Sequence, residues 1–170
     1  NSGSSTFGGT LTGTGNFVKT GSGTFTFNND VLFNGSVFLN GGTLDLNGFD
    51  IGFDSLYIGG NSIIDFGSGV ASNFTLGDLE LANGVTLTIT NWIDGNDLFI
   101  TSDWLNALQD QSGSTPMNQV IFNGFSGNDT IWNSINNEIA PIVPEPSTYG
   151  AVLMGLSLAG WLARRRPRTL

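Results

Sequence analysis

Short runs in which apolar and polar residues alternate recur through residues 1 to 92. Alternation with period two is typical of half-buried β-strands, and we find no helical periodicity there. One series of runs recurs at nearly even spacing: Phe25–Phe27, Leu44–Leu46, Ile64–Phe66 and Leu87–Ile89. A second series interleaves with the first at nearly the same spacing: Val37–Leu39, Leu56–Ile58 and Phe74–Leu76. The two series of predicted strands therefore share one common period along the chain.

The residues between these runs are rich in Gly, Asn and Asp, which favour corners with positive φ. A repeat of about 20 residues with two or three short strands is typical of a right-handed parallel β-helix, in which each coil stacks on its neighbours. The absence of proline before Pro116 suits a ladder that needs every backbone N–H. An antiparallel sandwich or barrel is the competing architecture. We favour the β-helix for residues 1–92 because the strands repeat in pairs at a fixed period.

The composition changes where the repeats end, and every Trp outside the C-terminal tail lies in this region: Trp92, Trp104 and Trp132. We expect residues 93–133 to cap the last open coil. The pattern predicts a short helix over Asp103–Gln109 with Ser102 as its N-cap, and a strand at Gln119–Phe122. One face of this helix would carry Trp104, Leu105 and Leu108. Residues 134–143 are predicted to be a linker.

The last part of the chain has a different pattern. Seventeen uncharged residues, Ser147–Ala163, follow Pro144, Glu145 and Pro146 and precede Arg164, Arg165, Arg166 and Arg168. As a helix, the segment would span about 25 Å, close to the thickness of a bilayer's hydrocarbon core. Tyr149 and Trp161 would lie at its two interfaces, and the arginines would stay in the cytoplasm. We therefore predict a single transmembrane helix with the body facing outward.

Residues 143–168 resemble the PEP-CTERM sorting signal of Gram-negative bacteria. All three parts of that signal occur in order here: the motif Pro144-Glu145-Pro146, a short apolar helix and an arginine cluster. The resemblance implies that an exosortase, a membrane-embedded cysteine transpeptidase, processes the chain near this motif. It also implies anchoring in the inner membrane during export, followed by delivery to the cell surface or extracellular matrix.

Two phrases in the body resemble the autotransporter-associated β-strand repeat. They are Gly9–Thr24, which reads GTLTGTGNFVKTGSGT, and Asn40–Gly48, which reads NGGTLDLNG. The resemblance implies a β-helical fold, in agreement with the periodicity. Nothing in the chain resembles the membrane barrel in which familiar carriers of this repeat end.

Composition narrows the chemistry that is open to the chain. Its 170 residues suit one or two small domains, and they include neither Cys nor His. Disulfides, thiolate or imidazole metal sites and an imidazole general base are therefore excluded. The net charge of −9 combines a basic tail with residues 1–143, which hold thirteen acids and one base, Lys19. Such a body does not suit nucleic acid, because phosphate binding needs Lys and Arg.

Acidic residues offer two candidate sites. Asp45 and Asp65 occupy matching positions on successive coils, where they would face outward between core residues, with Thr26 and Thr88 before and after them. We interpret this stripe as a solvated acidic face, although paired carboxylates are also the groups that glycoside-cleaving enzymes use. We predict no metal site. The calcium candidates are Asp94, Asp97 and Asp129, which lie in two separated segments similar to a calcium-binding nonapeptide.

We therefore expect a non-catalytic, exported surface or extracellular-matrix protein without a cofactor. Its predicted partners are an exosortase, the membrane and either an exopolysaccharide or other surface proteins. Two alternatives remain: a β-helical carbohydrate-active enzyme displayed at the surface, and a plain tail-anchored membrane protein.

Overall fold

A computed structural model describes residues 3–125 and 129–142 of the chain. These residues form β-strands and one short 3-10 helix, Met117–Gln119. The strands are β1 (Ser5–Phe7), β2 (Asn16–Thr20), β3 (Thr24–Phe27), β4 (Val31–Asp45), β5 (Ile51–Asp65), β6 (Asn73–Leu81), β7 (Leu87–Thr90), β8 (Leu98–Trp104), β9 (Val120–Phe122), β10 (Thr130–Trp132) and β11 (Ile139–Pro141). The prediction of an all-β chain is confirmed for the described residues.

The first nine strands form one large parallel sheet. Each segment pairs with the segment that follows after a further turn of the chain. Ser5 pairs with Phe25, and Val31 pairs with Ile51, so the two partners lie one period of the sequence repeat apart. Parallel pairing at this offset means that each repeat of the chain hydrogen-bonds with the next one, and we call each repeat a coil.

The two long strands β4 and β5 each contribute to three ladders. Irregularities between Phe33 and Ser36 and between Leu39 and Asn40 divide their pairing into three segments. Ladder A stacks Phe25, Leu44, Ile64, Ile89 and Phe122. Ladder B stacks Val31, Ile51, Phe74 and Phe99. Ladder C stacks Phe17, Val37, Leu56, Leu79 and Trp104.

The core lies between the three ladders. In each inner coil the apolar residues of the alternating runs point inward and are buried, as Val37, Leu39, Leu44 and Leu46 show. The residues between them point outward, because successive side chains of a strand lie on opposite faces. The alternation in the sequence thus becomes a continuous column of aliphatic and aromatic side chains.

An antiparallel hairpin, β10 with β11, covers the last coil, and we call it the closing hairpin. It meets β8 through a bridge between Ile100 and Glu138. The indole N–H of Trp132 donates to the carbonyl oxygen of Thr101 at 3.2 Å. Ile100 and the carbonyl oxygen of Thr101 therefore contact the hairpin region.

The helix predicted over Asp103–Gln109 is wrong. Asp103 and Trp104 belong to β8 and pair with Asp78 and Leu79, and the chain turns immediately afterwards. Trp104 is 1% exposed, whereas Leu105 is 50% exposed and Leu108 is 60% exposed, so these three residues do not share a buried face. Pairing along an existing ladder outweighs the local helical pattern, because it satisfies backbone groups that an isolated short helix leaves open.

Two further predictions need correction. Residues 134–143 are not merely a linker, because Ile139–Pro141 form β11. Phe74–Leu76 do not stack on Leu56–Ile58 but on Ile51–Phe53, so they belong to ladder B. The sequence pattern shows which face a residue occupies but not which ladder it joins.

The transmembrane helix predicted for Ser147–Ala163 lies outside the described residues. Within residues 3–125 and 129–142 there is no helix with the length and apolar character that a membrane crossing requires.

Candidate functional site

The described part of the chain ends at the closing hairpin. β11 ends at Pro141, and the backbone N–H of Ile142 donates to the carbonyl oxygen of Asp129 at 2.8 Å. The predicted sorting motif and its flanking residues follow directly and lie outside the described residues: Pro144, Glu145, Pro146, Tyr149, Trp161, Arg164, Arg165, Arg166 and Arg168. Ile142, the last described residue, therefore lies at the covered end of the body.

Asp45 and Asp65 are brought together on the outside of ladder A, where they form a register pair. Each carboxylate caps the corner that follows it. Asp45 Oδ1 accepts a hydrogen bond from the N–H of Asn47, and Asp65 Oδ1 accepts one from the N–H of Gly67, both at 2.9 Å. Thr26 also donates from its hydroxyl to Asp45 Oδ2 at 3.0 Å. These oxygens therefore serve as structural acceptors in the corners.

The column around these acids differs from the predicted one in one residue. Thr26 precedes Asp45 as expected, but the residue paired with Asp65 on the next coil is Thr90 rather than Thr88. Because side chains alternate along a strand, Thr88 and Thr90 lie on the same side of β7. The threonine paired with Asp65 is therefore on the outward face, as predicted.

A second acidic column was missed by the sequence reasoning. It lies at the corner between ladders A and B, where Asp30 Oδ1 accepts from the N–H of Asp50 at 3.0 Å. Asp50 Oδ1 in turn accepts from both the backbone N–H and the amide of Asn73, each at 2.9 Å. The separation of Asp30 from Asp50 equals the repeat period, and this was the signal available in the sequence.

The three calcium candidates occupy different environments. Asp97 is buried, and its Oδ1 and Oδ2 accept hydrogen bonds from the N–H groups of Ser72 and Ile93 at 2.9 and 2.7 Å. Asp94 and Asp129 are exposed. In the described part of the chain, no three acidic side chains are grouped closely enough to hold a metal ion. Asp97 instead fixes the turn that begins β8 to the preceding coil.

Lys19 is buried, although lysine is usually a surface residue. It occupies an inward position of ladder C and is only 8% exposed. Its Nζ donates to the carbonyl oxygens of Gly21 and Gly41 at 3.1 and 2.9 Å. Burial lowers the pKa of Lys19 below its usual 10.5, because desolvation disfavours the charged form. Its ammonium group thus ties together the same corner of two successive coils.

Two other buried polar side chains serve the same corner between ladders C and A. The hydroxyl of Ser62 donates to the carbonyl oxygen of Gly60 at 2.7 Å and accepts from the N–H of Gly41 at 3.1 Å. The amide of Gln119 donates to the carbonyl oxygens of Ala82 and Val85 at 2.8 and 2.7 Å. We call Lys19, Ser62 and Gln119 the inner polar column.

A shallow groove of about 670 Å³ runs along the outside of ladder B. Its floor is largely aliphatic and includes Leu32, which is 76% exposed, and Ile100. Asp30 and Asp50 lie at its rim, where they already accept the backbone and amide hydrogen bonds described above. The groove therefore offers an apolar contact surface with an acidic border.

The PEP-CTERM protein-sorting motif matches residues 143–166. The match begins directly after the last described residue and does not extend to the body, so the likeness of Gly9–Thr24 and Asn40–Gly48 to the autotransporter-associated repeat stays a prediction. No curated protein and no solved structure matches the chain. The motif implies an exported protein of a Gram-negative bacterium that an exosortase sorts as it passes the membrane.

Proposed function

We propose that the protein is a non-catalytic surface or extracellular-matrix protein, a short β-helical rod that its C-terminal tail delivers to the cell surface. The inner membrane would hold the tail during export, and an exosortase would process it near Pro144–Pro146. The sorting motif supports delivery. The large parallel sheet of the body supports the role as a structural rod.

The right-handed parallel β-helix is the architecture we assign to the body. The three parallel ladders support it, since each continues through at least four coils and begins with partners one repeat period apart. Right-handedness follows the strong general preference of parallel crossover connections. At about 4.8 Å per coil, the stacked coils form a short rigid column.

The hydrogen bonds that the carboxylates accept from the backbone are the main support for the non-catalytic proposal. Asp45, Asp50, Asp65 and Asp97 each accept a backbone hydrogen bond that fixes a corner or joins two coils. An acid or base in catalysis needs a carboxyl group that is free to exchange a proton with a substrate. Carboxylates committed to corners suit a scaffold whose acidic surface keeps it soluble.

Processing of the tail tests the sorting proposal. The full chain is expressed in a Gram-negative host with an exosortase, and mass spectrometry defines the C-terminus of the surface form. We expect an end near Pro146, and we expect Glu145→Ala to retain the complete tail. An intact Leu170 in the mature surface form would contradict processing and favour a plain tail anchor.

Glu138→Ala is the matched control for this experiment. Glu138 lies next to β11, outside the motif, and its carboxylate accepts a hydrogen bond from the amide of Asn136. Removing this acid changes the charge by the same amount as Glu145→Ala, so we expect the processed end near Pro146 to persist. Loss of processing in both variants would show that the charge of this region, rather than the motif, matters.

The groove beside ladder B also supports the enzymatic alternative, because Asp30 and Asp50 border it. A carbohydrate-active enzyme would cleave a neutral or acidic polysaccharide and would lose that activity in Asp30→Asn or Asp50→Asn. We expect the purified protein to release no new reducing ends. Cleavage that disappears in either variant would overturn the non-catalytic proposal while leaving the sorting proposal intact.

A further inference from the structure

Several asparagines of the chain are followed directly by glycine, and in such a pair the side chain can react with the backbone. These asparagines are Asn34, Asn40, Asn47, Asn83 and Asn123. The backbone nitrogen of the glycine attacks the carbonyl carbon Cγ of the asparagine, because glycine has no Cβ to obstruct the approach and changes φ freely. The attack needs a glycine N–H without an acceptor and a backbone that can rotate. The fold therefore decides which pairs react.

Three of these pairs are held within the stacked coils. The N–H of Gly41 donates to the hydroxyl oxygen of Ser62 at 3.1 Å. The N–H of Gly48 donates to the carbonyl oxygen of Phe66 at 3.0 Å. Gly35 is buried within β4. At each of these positions the coil must open locally before the glycine nitrogen reaches the side chain that precedes it.

Asn83 and Gly84 have a different environment. They form the tip of the turn between β6 and β7, in which the N–H of Val85 donates to the carbonyl oxygen of Ala82 at 3.2 Å. Gly84 has a φ of 73°, in agreement with the positive value that a type II turn requires at this position. Among the described residues, the N–H of Gly84 has no acceptor, and a Cβ on this residue would meet no heavy atom within 4 Å. The nitrogen is therefore available for attack without any opening of a ladder.

The two ends of this turn are fixed separately from its tip. The side-chain amide of Gln119 donates to the carbonyl oxygens of Ala82 and Val85 at 2.8 and 2.7 Å. Strand β6 ends at Leu81, and β7 begins at Leu87. A covalent change at the tip therefore breaks no hydrogen bond of the ladders on either side. The folded protein can accept the change and remain folded.

We propose that Asn83 is a site of spontaneous modification, at which the folded protein loses ammonia and gains a carboxylate. The nitrogen of Gly84 bonds to Cγ of Asn83 as the Cγ–Nδ2 bond breaks, and Nδ2 leaves as ammonia with the proton of the glycine nitrogen. A water molecule then opens the succinimide ring at either of its carbonyl carbons, which yields aspartate or isoaspartate. The net reaction consumes one water, releases one ammonia and adds one negative charge. This modification goes beyond the proposed function and does not depend on sorting.

Peptide mapping by mass spectrometry tests the proposal. The full chain is incubated in detergent at mildly alkaline pH, where the glycine nitrogen loses its proton more readily. Conversion of the amide raises the mass of the peptide, and chromatography separates aspartate from isoaspartate. We expect Asn83 to convert at least about tenfold faster than Asn40 or Asn47, which corresponds to a local opening that costs about 1.4 kcal/mol or more. Equal rates at the three sites, or a slower reaction at Asn83, would overturn the proposal.

The chain unfolded in urea is the reference for this comparison. Unfolding removes the hydrogen bonds that hold Gly41 and Gly48, so we expect Asn40, Asn47 and Asn83 to react at similar rates. A preference for Asn83 that persists in urea would come from the neighbouring residues rather than from the fold, and it would contradict the proposal.

Asn83→Gln is the matched variant. It keeps a side-chain amide of the same charge but needs a larger ring for the same attack, and such a ring closes more slowly. Isoelectric focusing should therefore show that the more acidic form of the folded protein accumulates more slowly in Asn83→Gln than in the wild type. Accumulation at the same rate in both proteins would place the reaction at another residue and refute the assignment to Asn83.

Discussion

The regular coils and the closing region bury their side chains by different means. Strands β4 and β5 pair along nearly their whole length one repeat period apart, and medium-sized aliphatic side chains fill most inward positions. Towards the closing hairpin the offset grows, so that Ile89 pairs with Phe122 well beyond one period. Large side chains from distant segments occupy this space, and the rings of Trp104 and Trp132 lie 6.4 Å apart.

This difference shows how a repeat fold ends. A coil in the middle of the stack obtains both of its neighbours from the period of the sequence. The final coil has no successor, so it depends on non-local contacts with the closing hairpin. The regular coils should therefore tolerate conservative exchanges along the aliphatic column, whereas the closing region should depend on a few large side chains.

The largest effect is expected from Trp104→Ala. Trp104 is the last member of ladder C and is 1% exposed, so its removal leaves a large cavity and should lower the free energy of unfolding by about 3–5 kcal/mol. Urea unfolding measures this loss, and hydrogen exchange should accelerate in β8 and the closing hairpin before it does in β4 and β5.

Trp104→Phe is the control for this prediction. It keeps an aromatic ring and removes an indole N–H that is buried and has no partner among the described residues, so we expect a smaller loss than for Trp104→Ala. A loss below about 1 kcal/mol for Trp104→Ala would mean that the closing region does not depend on this side chain.

An intermediate effect is expected from a pair of glycine substitutions. Gly42 and Gly84 have nearly equal φ angles of 74° and 73°, so alanine at either position carries the same backbone strain of about 1–2 kcal/mol. A Cβ at Gly42 would lie 2.5 Å from the carbonyl oxygen of Gly21 and from Lys19 Nζ, whereas Gly84 has open space. Gly42→Ala should therefore lower the urea midpoint well beyond Gly84→Ala. Equal midpoints would show that the corner around Gly42 can widen to accept a Cβ.

The smallest effect is a pH dependence that originates in Lys19. Burial lowers its pKa in the folded protein, whereas the unfolded chain keeps the usual 10.5. Between these two values the unfolded state binds more protons, so the free energy of unfolding contributed by this group rises with pH. In Lys19→Met this contribution is absent.

Urea titrations at pH ~7, ~9 and ~10 should therefore show the wild type gaining stability relative to Lys19→Met as the pH rises. Parallel pH profiles for the two proteins would contradict the burial of the ammonium group.

The sequence predicts the regular coils well and the closing region poorly. The stacking of Phe25, Leu44 and Ile64 follows from the alternation and the period, and it agrees with the observed register. The next step fails, because Ile64 pairs with Ile89 rather than with Leu87. Local alternation determines the face of the strand on which a side chain lies. Longer corners contain inserted residues, and these change the residue of the next coil with which it pairs.

The same limit explains why ladder B was missed and why the helix prediction failed. Val31, Ile51 and Phe74 belong together only because the intervening corners close onto one another. Likewise, Trp104 is a strand residue because Leu79 of the preceding coil lies beside it. Val31 and Ile51 lie one repeat period apart, but the intervals from Ile51 to Phe74 and from Leu79 to Trp104 are longer, so the period alone does not reveal these contacts. The inner position of Lys19 was not found because lysine normally marks a solvated face.

The inner polar column also bears on how the chain avoids misthreading during folding. Coils of nearly equal length with interchangeable aliphatic residues can stack out of phase by one whole coil with little loss of apolar burial. Lys19 aligns with Leu39 and Ile58, so a slip of one coil would separate its ammonium group from the carbonyl oxygen of Gly41, to which it donates across two coils. A few buried polar residues thus help to fix the register between otherwise similar coils.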